Sequence, residues 1–485
     1  MAGIRKQMLE RAPIYEALNQ YAQANNLRLH MPGHIGGQAM PVEWGGLACL
    51  DLTEVAGMDD LHLPQGIIEK SRRLLAQAAG ARESFFLVNG ASCGVQAMLM
   101  SMAGDGEQII IPRNAHRSFY AGMVLSGAWP VYLPGEIHAE LGEILSVSCA
   151  EVQKALAQNP ASQALFITSP SYYGTCSDIS TIVQVAADYG KQVLVDEAHG
   201  GHFPFHSGYP PTALSQGAVA AVNGLHKTWP VLNPGAALHI GRGFFERERL
   251  YQAVSLLTTT SPSYPLLASI ETARLFMEEQ GYEYLEKARS LAVEYRIKIN
   301  RIKGVHCYGE ELIDNRNIIG LDPLKIIIST RQLSLSGYQL SRILREKYRI
   351  QLELESQHMV VAMFSLLHQR EDWERLYIAL EEIASVYAGN GKKLSRHETL
   401  PGTKTILSPR QAFLAAKEDV SLEDSLGRIA GEMIAVYPPG IPCLVPGELI
   451  SPEILEYLQY LKNSPVRIQG VQDARLEKIK VVTQV

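Results

Sequence analysis

The feature that most constrains the fold is the alternation of short apolar runs with helical patterns between residues 85 and 241. Short apolar runs bounded by turn residues are typical of buried strands, whereas the intervening segments 94–104 and 180–190 have helical spacing. The alternation predicts an α/β fold with a mostly parallel sheet and helices on both faces. The predicted strands are 85–90, 108–113, 130–134, 164–170, 192–198, 218–224 and 236–241.

The length of 485 residues predicts more than one domain. We expect an N-terminal helical segment at 1–30, a large α/β domain at 31–300, a small α+β domain at 301–390, and a linker with a C-terminal domain at 391–485. The small domain is predicted to contain strands at 324–330, 350–356 and 358–365 and helices at 336–348 and 371–387. The polar stretch 388–405 is typical of a linker, and 408–465 is predicted to be helix and loop.

Charge and hydropathy exclude several classes of protein. The net charge of −6 and the lack of a Lys/Arg block argue against a nucleic-acid binder. No run reaches the roughly 18 to 20 apolar residues that a membrane-spanning helix needs, so no membrane partner is expected. Residues 1–26 carry charges and amides throughout, which predicts an amphipathic helix rather than a secretory signal. We therefore expect a cytoplasmic protein.

The cysteines are scattered along the chain without a CxxC pair or a Cys/His cluster of metal-binding spacing. This distribution predicts reduced and mostly buried thiols and no metal site. The six are Cys49, Cys93, Cys149, Cys176, Cys307 and Cys443.

Two residues, Asp196 and Lys227, carry the strongest chemical signal. Asp196 ends the apolar run VLVD, and Lys227 follows a second apolar run 31 residues later, next to His226. Singly, the aspartate is more often a cap or turn residue and the lysine a solvated charge. Together they suit pyridoxal 5'-phosphate, which needs a lysine to hold its aldehyde and a carboxylate to keep its pyridine nitrogen protonated.

Other polar positions also follow predicted strands. Gly90, Ala91, Ser92 and Cys93 form a small-residue turn into a helix, a geometry suited to a phosphate but common in strand-to-helix turns that bind nothing. His116 follows the strand at 108–113, where it can stack on a pyridine ring or serve as an ordinary loop histidine. Because parallel strands share one carboxyl edge, a common rim is expected for Gly90, His116, Pro170, Asp196 and Lys227.

Eight ordered segments together resemble the bacterial ornithine/lysine/arginine decarboxylases. These are LHMPGHIGG (29–37), DLTEVAGMDDLHLPQGII (51–68), SFFLVNGASCG (84–94), TSPSYYGTCSDI (168–179), DEAHGGHF (196–203), HKTWP (226–230), TTTSPSYPLLASIE (258–271) and YPPGIPCLVPGE (437–448). The resemblance implies an aspartate aminotransferase-like large domain, known as fold type I, with smaller α+β C-terminal domains. It also implies decarboxylation of a basic amino acid with pyridoxal 5'-phosphate, in polyamine biosynthesis.

The resemblance also implies roles for individual residues. Lys227 would bond the cofactor's aldehyde, Asp196 would pair with its pyridine nitrogen, and His116 and Ala198 would pack on its two faces. The phosphate would be held by Ser92 with the amides of Ala91 and Cys93, with Gly90 at the turn; His226 would lie near the phosphate or the substrate carboxylate, and His199 in the cofactor site. Ser261 would reach a neighbouring subunit's site, which implies a homodimer or higher homo-oligomer with shared active sites.

The chain departs from the family pattern at two places. Gly224 and Leu225 stand where the family often carries a serine or threonine, so one phosphate contact is expected to be missing. The chain also begins close to the LHMPGH segment, which resembles the shorter, Gram-positive type without a regulator-like N-terminal domain.

The substrate is left open among arginine, lysine and ornithine, with arginine favoured by resemblance to the short family members. Glu448 is the candidate for the substrate's distal cation, the alternative being a surface glutamate. Two other functions stay open. Fold type I also supports aminotransferases and lyases, for which Arg428 would be a candidate carboxylate clamp. A non-catalytic paralogue is the second alternative.

Overall fold

A seven-stranded sheet forms the centre of the large domain in this computed structural model, which describes residues 11–135, 137–389, 400–437 and 440–483. The strand order is β1-β8-β7-β6-β4-β2-β3, and β8 alone runs against its neighbours in this sheet. The mostly parallel sheet predicted from the sequence is therefore confirmed. The first eight strands are β1 (Glu83–Leu87), β2 (Gln108–Pro112), β3 (Trp129–Leu133), β4 (Ala164–Thr168), β5 (Thr175–Ser177), β6 (Gln192–Asp196), β7 (Ala220–Asn223) and β8 (Ala236–Ile240).

Helices cover both faces of this sheet, which explains why its strands are continuous apolar runs rather than alternating ones. In β6, Leu194 packs into one hydrophobic cluster, whereas Val193 and Val195 pack into another on the opposite face. The helices before the small domain are α1 (Pro13–Gln23), α2 (Gly45–Ala48), α3 (Ile67–Ala78), α4 (Ala91–Met102), α5 (Arg117–Ser126), α6 (Cys149–Gln158), α7 (Ile179–Asp188), α8 (Arg247–Leu257), α9 (Tyr264–Glu279) and α10 (Gly281–Ile299). Short 3₁₀ helices lie at Val42–Trp44, Phe203–Phe205 and Leu225–Lys227.

The N-terminal helix α1 packs against α9 rather than standing apart. The Glu271 carboxylate in α9 accepts hydrogen bonds from the backbone N–H groups of Ile14 (3.2 Å) and Tyr15 (2.8 Å). These two amides lie in the first turn of α1, where no backbone partner exists within the helix. The helix ends at Gln23, close to the end of the predicted 1–26, and residues 1–10 lie outside the described residues.

The small domain is built on a four-stranded antiparallel sheet in the order β12-β13-β11-β9. Its remaining strand, β10, pairs instead with β5 and so joins the small domain to the large one. The predicted strand at 350–356 is confined to two residues, whereas the predicted helices are present. The elements are β9 (His306–Tyr308), β10 (Ile318–Leu321), β11 (Lys325–Ser329), β12 (Leu354–Glu355), β13 (Met359–Met363), α11 (Gly337–Tyr348), α12 (Arg370–Tyr387) and a 3₁₀ helix at Glu310–Leu312.

The C-terminal region contains two small antiparallel sheets, so the prediction of helix and loop for 408–465 is wrong. The strand β14 is polar, KEDVS, and has no apolar run to mark it, whereas the apolar strands β15 and β16 are only four residues long. Residues 390–399 of the predicted linker lie outside the described residues. The elements are α13 (Pro409–Leu414), β14 (Lys417–Ser421), β15 (Ile434–Tyr437), β16 (Ile441–Leu444), α14 (Pro452–Lys462), β17 (Arg467–Gln469), β18 (Lys478–Val482) and a 3₁₀ helix at Glu423–Ser425.

Two further expectations concern the thiols and membrane spans. All six cysteines carry free thiols, and Cys93, Cys176, Cys307 and Cys443 are buried. Within the described ranges, no helix is both long enough and apolar enough to cross a bilayer.

Candidate active site

A cavity of about 470 Å³ opens at the carboxyl ends of the parallel strands. Its lining includes the five strand-end positions Gly90, His116, Pro170, Asp196 and Lys227. They meet because β1, β2, β4, β6 and β7 all run in the same direction, so that their carboxyl ends form one edge. The structure therefore brings together the residues that the sequence placed on one rim.

Asp196 and Lys227 both line this cavity, and each acts on the charge of the other. Asp196 is the last residue of β6, is 4% exposed, and accepts a hydrogen bond at Oδ1 from the N–H of Ala198 (3.1 Å). Burial raises the pKa of Asp196, and the charge of Lys227 opposes this rise. Burial lowers the pKa of Lys227, and Asp196 and Glu353 oppose that fall. Such an environment favours a lysine that is available as an uncharged amine nucleophile.

The His199 ring lies between two lysines. Its Nε2 is 3.1 Å from Lys227 Nζ, and its Nδ1 is 2.9 Å from Lys325 Nζ. Burial lowers the pKa of Lys325 to about 8 and lowers the pKa of His199 well below its ordinary value. Sequence reasoning missed Lys325 because it lies on β11 in the small domain. A lysine inside the apolar run LKIIIS was nevertheless a signal, since an ammonium group is rarely buried without a function.

His116 and His226 line the same cavity. The N–H of Ser118 donates to His116 Nδ1 (3.3 Å), and the Ser118 hydroxyl lies 2.9 Å from the same nitrogen. Burial, with the nearby charges of Lys227 and Arg117, lowers the pKa of His116 to about 4, so the ring is neutral at neutral pH. His226 Nδ1 lies 2.9 Å from the carbonyl oxygen of Gly235, which fixes this nitrogen as the one that carries the proton in the neutral ring.

The turn before α4 presents backbone N–H groups to the cavity. Gly90 adopts φ 81°, a left-handed conformation that favours glycine, and no side chain caps the helix that follows. Ala91 and Ser92 line the cavity. The predicted phosphate contact from the Cys93 amide is not supported, because this N–H donates to the Gly90 carbonyl (3.3 Å) and the Cys93 thiol bonds to the same oxygen (3.1 Å).

Glu448 does not reach the cavity, so the structure gives no support to the predicted substrate contact. The side chain is 1% exposed, and its Oε2 lies 3.5 Å from Arg113 Nη2 and accepts from the N–H of Val445 (2.9 Å). Although burial opposes the positive charge, Glu448 raises the pKa of Arg113 above its ordinary value. The Oε2 atom is thus already paired within the protein, whereas Oε1 is buried without a hydrogen-bond partner in the described part of the chain.

Glu353 is the carboxylate of the small domain that lines the cavity, and sequence reasoning missed it. It accepts a short hydrogen bond from the hydroxyl of Tyr172, whose ring packs edge-on against His199 with centroids 4.9 Å apart. Burial raises the pKa of Tyr172, and Glu353 raises it further, so the phenol keeps its proton and donates it. Glu353 precedes β12 by one residue, and no sequence motif marked it.

The remaining predicted positions divide between cavity, core and surface. Ala198 and His199 line the cavity, whereas Ser261 is exposed on the surface. Leu225 is fully buried, and a Cβ on Gly224 would lie 3.0 Å from the carbonyl oxygen of Ala198. The space at residues 224 and 225 is therefore filled by core packing. Arg428 lies in the C-terminal region, where it pairs with Glu418.

The family of this chain is decided by its matches to known sequences. Residues 12–372 match the family described as Orn/Lys/Arg decarboxylase, major domain, and residues 394–473 match Orn/Lys/Arg decarboxylase, C-terminal domain. The chain belongs to the Orn/Lys/Arg decarboxylase family. The arginine decarboxylase of Bacillus subtilis (strain 168) is 35% identical to this Orn/Lys/Arg decarboxylase over 97% of the chain and 98% of the relative.

More distant members show the same fold. The constitutive lysine decarboxylase of Escherichia coli (strain K12) is 24% identical over 93% of this chain and 77% of the relative. The crystal structure of the Francisella novicida lysine decarboxylase LdcF superposes with a TM-score of 0.84 at 22% identity, covering 98% of this chain and 81% of that one. A serine palmitoyltransferase from Sphingomonas wittichii covers 65% of the decarboxylase and 76% of that chain, with a TM-score of 0.53 and 17% identity. The decarboxylase therefore has the fold type I architecture.

The residues of the cavity fit pyridoxal phosphate, the cofactor of this decarboxylase family. A lysine amine and a buried carboxylate line one chamber, and the start of α4 offers backbone N–H groups without a side-chain cap. The Thr168 hydroxyl, which also lines the chamber, is buried without a hydrogen-bond partner in the described part of the chain. An unpaired buried polar atom is costly, so this hydroxyl points to a bound polar group.

Proposed function

We propose that this chain removes the α-carboxylate of arginine as CO2 and leaves the corresponding amine, agmatine, as a step in polyamine biosynthesis. The observation that carries the proposal is the meeting of Asp196 and Lys227 in one buried cavity beside the uncapped start of α4. Family membership narrows the chemistry from any pyridoxal phosphate reaction to decarboxylation of a basic amino acid.

The cavity residues have separate tasks in this reaction. Lys227 would hold the cofactor's aldehyde through its amine. Asp196 would keep a proton on the pyridine nitrogen, and the neutral His116 ring would pack against the cofactor. Ser92 and the amide of Ala91 hold the phosphate. When bound, pyridoxal phosphate supplies the ring that accepts the electrons released with CO2.

We assign the substrate's distal cation to Glu353 in place of Glu448. Glu353 lines the cavity, and its carboxylate is anchored by the Tyr172 hydroxyl. Its charge acts on both Lys227 and Lys325, which supports a place for this carboxylate beside the chamber. A carboxylate held in this way can accept two parallel hydrogen bonds from a guanidinium group. The choice of arginine over lysine and ornithine is further supported by the arginine decarboxylases at about 35% identity.

The test is to incubate the purified chain with arginine, lysine and ornithine side by side and to measure CO2 and the amine products. We expect CO2 and agmatine from arginine, with much less cadaverine or putrescine. Formation of a 2-oxo acid without CO2 would replace the proposal with an aminotransferase. A purified chain that binds no pyridoxal phosphate would favour the non-catalytic paralogue.

We also propose that two copies of the chain form a homodimer with shared active sites, in the cytoplasm. Large apolar side chains on one N-terminal stretch face solvent in the single chain: Leu27, Leu29, Met31, Val42 and Leu63 are 65–88% exposed. His62 on this stretch contacts the Ser255 hydroxyl (3.1 Å) and the Thr259 carbonyl (3.0 Å), so the exposed Ser261 loop adjoins the same surface. A second copy would cover this surface. The six free thiols suit a reducing compartment.

Sedimentation of the full chain tests the dimer. We expect a dimer for the wild type and a monomer with little activity for V42D/L29D, since two buried charges would oppose association. A wild-type monomer with full activity would contradict the proposal.

A further inference from the structure

The Lys325–His199–Lys227 contact is unusual because one imidazole ring lies within hydrogen-bond distance of two lysine amines. Both contacts have hydrogen-bond length, 2.9 Å at Nδ1 and 3.1 Å at Nε2. A neutral imidazole has one N–H donor and one bare acceptor nitrogen. An ammonium group has three donors and no acceptor. Only one of the two lysines can therefore be charged while both hydrogen bonds exist.

The surroundings of Lys325 decide which lysine carries the charge. Lys325 is 1% exposed, and its Nζ lies 2.8 Å from the sulfur of Met363 and 5.5 Å from the ring centroid of Tyr172. A thioether acceptor and an aromatic face both suit a cation. Burial lowers the pKa of Lys325 to about 8, and the carboxylates of Asp322 and Glu353 oppose that fall, so the amine stays mostly charged at neutral pH. With Lys325 charged and donating to Nδ1, His199 must carry its proton on Nε2, where it donates to an uncharged Lys227.

We propose that Lys325, acting through the His199 ring, holds Lys227 as an uncharged amine and passes it a proton during turnover. Lys325 is thus a positioning residue that never touches the substrate. In the transfer, an N–H bond of Lys325 breaks as one forms at His199 Nδ1, and the Nε2–H bond breaks as one forms at Lys227. One proton moves from Lys325 to Lys227, and no electrons are exchanged. The proposal rests on Lys227 being the cofactor lysine.

The chemistry of Lys227 requires both states that this arrangement provides. The uncharged amine is the form that attacks an aldehyde, and the protonated form is the one that can supply a proton to the substrate's α-carbon after CO2 has left. Several other groups also act on the charge of Lys227, so a test must separate the His199 link from their combined field. These groups are Asp196, His116, His226 and Glu353.

The test measures how fast the full-length chain, freed of cofactor, captures added pyridoxal phosphate between pH 6 and 10. The capture rate follows the uncharged fraction of Lys227, so its midpoint reports the pKa of that amine. For Lys325→Met we expect the midpoint to rise by about one pH unit and the rate at neutral pH to fall about tenfold. Lys325→Arg keeps a permanent donor and is expected to retain the wild-type midpoint.

A second variant separates the ring from the charge. His199→Phe keeps Lys325 but removes the imidazole that joins it to Lys227, and we expect the midpoint of the capture rate to rise as it does in K325M. In the double variant K325M/H199F, the midpoint should rise no further than in either single variant. This variant leaves residue 325 untouched, so misfolding of K325M would not remove the test. A wild-type midpoint in both K325M and H199F, or shifts that add in the double variant, would overturn the proposal.

Steady-state kinetics give an independent readout. We expect K325M to lower kcat with little change in KM for arginine, since Lys325 does not contact the substrate in this account. A large rise in KM with unchanged kcat would instead make Lys325 a substrate-binding residue. Failure of the wild type to capture pyridoxal phosphate would contradict the proposed function itself, which keeps the two failures distinct.

Discussion

Glu353 is the residue on which substrate choice depends in this account. Its replacement by Gln keeps the shape and the contact with Tyr172 but removes the charge that pairs with the guanidinium group. We expect E353Q to raise KM for arginine by roughly 10- to 100-fold, since a hydrogen bond to a charged group contributes about 1.5 to 3 kcal/mol. Steady-state kinetics of the decarboxylation measure this change.

The matched control is Glu355→Gln. Glu355 lies two residues further along, where it accepts from the Ser341 hydroxyl (3.0 Å) and lies outside the lining of the cavity. The control is expected to retain the wild-type KM. Equal effects of E353Q and E355Q would contradict the assignment.

His239 couples the stability of the central sheet to pH. It lies on β8, is 2% exposed, and its Nδ1 is 2.7 Å from the Ser84 hydroxyl. Burial lowers the pKa of His239 from 6.5 to about 4, so between these values the unfolded chain binds more protons than the folded chain. Stability is therefore present above pH 6.5 and is lost as the pH falls toward 4.

The expected size of this effect is about 2 kcal/mol between pH 7 and pH 5. His239→Gln removes the titrating group, so its free energy of unfolding should fall less than that of the wild type over the same interval. Urea unfolding at the two pH values measures both. An equal loss in wild type and H239Q would show that His239 does not titrate in this way.

Some site residues could be predicted from the sequence and others could not. Asp196, His116 and Lys227 each follow a buried strand, so their meeting at one edge was a consequence of topology. Lys325 and Glu353 come from the small domain, and the angle at which two domains pack is not contained in a local pattern. Glu448 had a motif but lies against Arg113 instead of in the cavity.

At the scale of single elements, the turn into α4 is expected to set the affinity for the cofactor. Gly90 has φ 81° and ψ 172°, a conformation that is essentially restricted to glycine, so Gly90→Ala costs about 1 to 3 kcal/mol. The added Cβ would lie 3.5 Å from Pro234 Cβ, an ordinary contact, so the strain is in the backbone. Because this turn presents its amides to the cavity, we expect G90A to weaken pyridoxal phosphate binding about tenfold, measured by absorbance titration of the cofactor-free chain.

Gly243→Ala is the control for this strain. Gly243 has φ 82°, is exposed, and has open space where the Cβ would be placed. The G243A variant should lose a similar free energy of unfolding and keep the affinity of the wild type for pyridoxal phosphate. A loss of affinity in G243A equal to that in G90A would assign the effect to general destabilisation.

The elements that sequence patterns identified are those buried on both faces. All seven strands of the central sheet lie within two residues of a predicted start, because continuous burial leaves an apolar run in the sequence. In the C-terminal region, β14 was missed because it carries charges and largely faces solvent, whereas β15 (IAVY) and β16 (IPCL) are apolar but only four residues long.

At the scale of the whole molecule, the Arg113–Glu448 ion pair joins the large domain to the C-terminal region. Arg113 also donates to the carbonyl oxygens of Pro442 (2.9 Å) and Cys443 (2.8 Å), so one buried guanidinium group connects the two. Glu448→Gln leaves that charge without its carboxylate. We expect a loss of about 3 kcal/mol in the free energy of unfolding, measured by urea unfolding.

The same variant separates a structural from a substrate-binding role for Glu448. If Glu448 only joins the domains, KM for arginine in E448Q should stay within about twofold of the wild type under conditions where the variant is folded, a difference under 1 kcal/mol. If E448Q instead raised KM as much as E353Q does and left the free energy of unfolding unchanged, Glu448 would be a substrate-binding residue.

The most direct test of the central claim is to identify the lysine that holds the cofactor. Borohydride reduction of the full chain loaded with pyridoxal phosphate fixes the cofactor to its lysine, and mass spectrometry of the peptides then locates it. Lys227 and Lys325 lie on opposite sides of the His199 ring, so the measurement distinguishes between two neighbouring lysines. We expect the added mass on the peptide that contains Lys227, with the Lys325 peptide unmodified. Modification at Lys325, or at neither lysine, would contradict it.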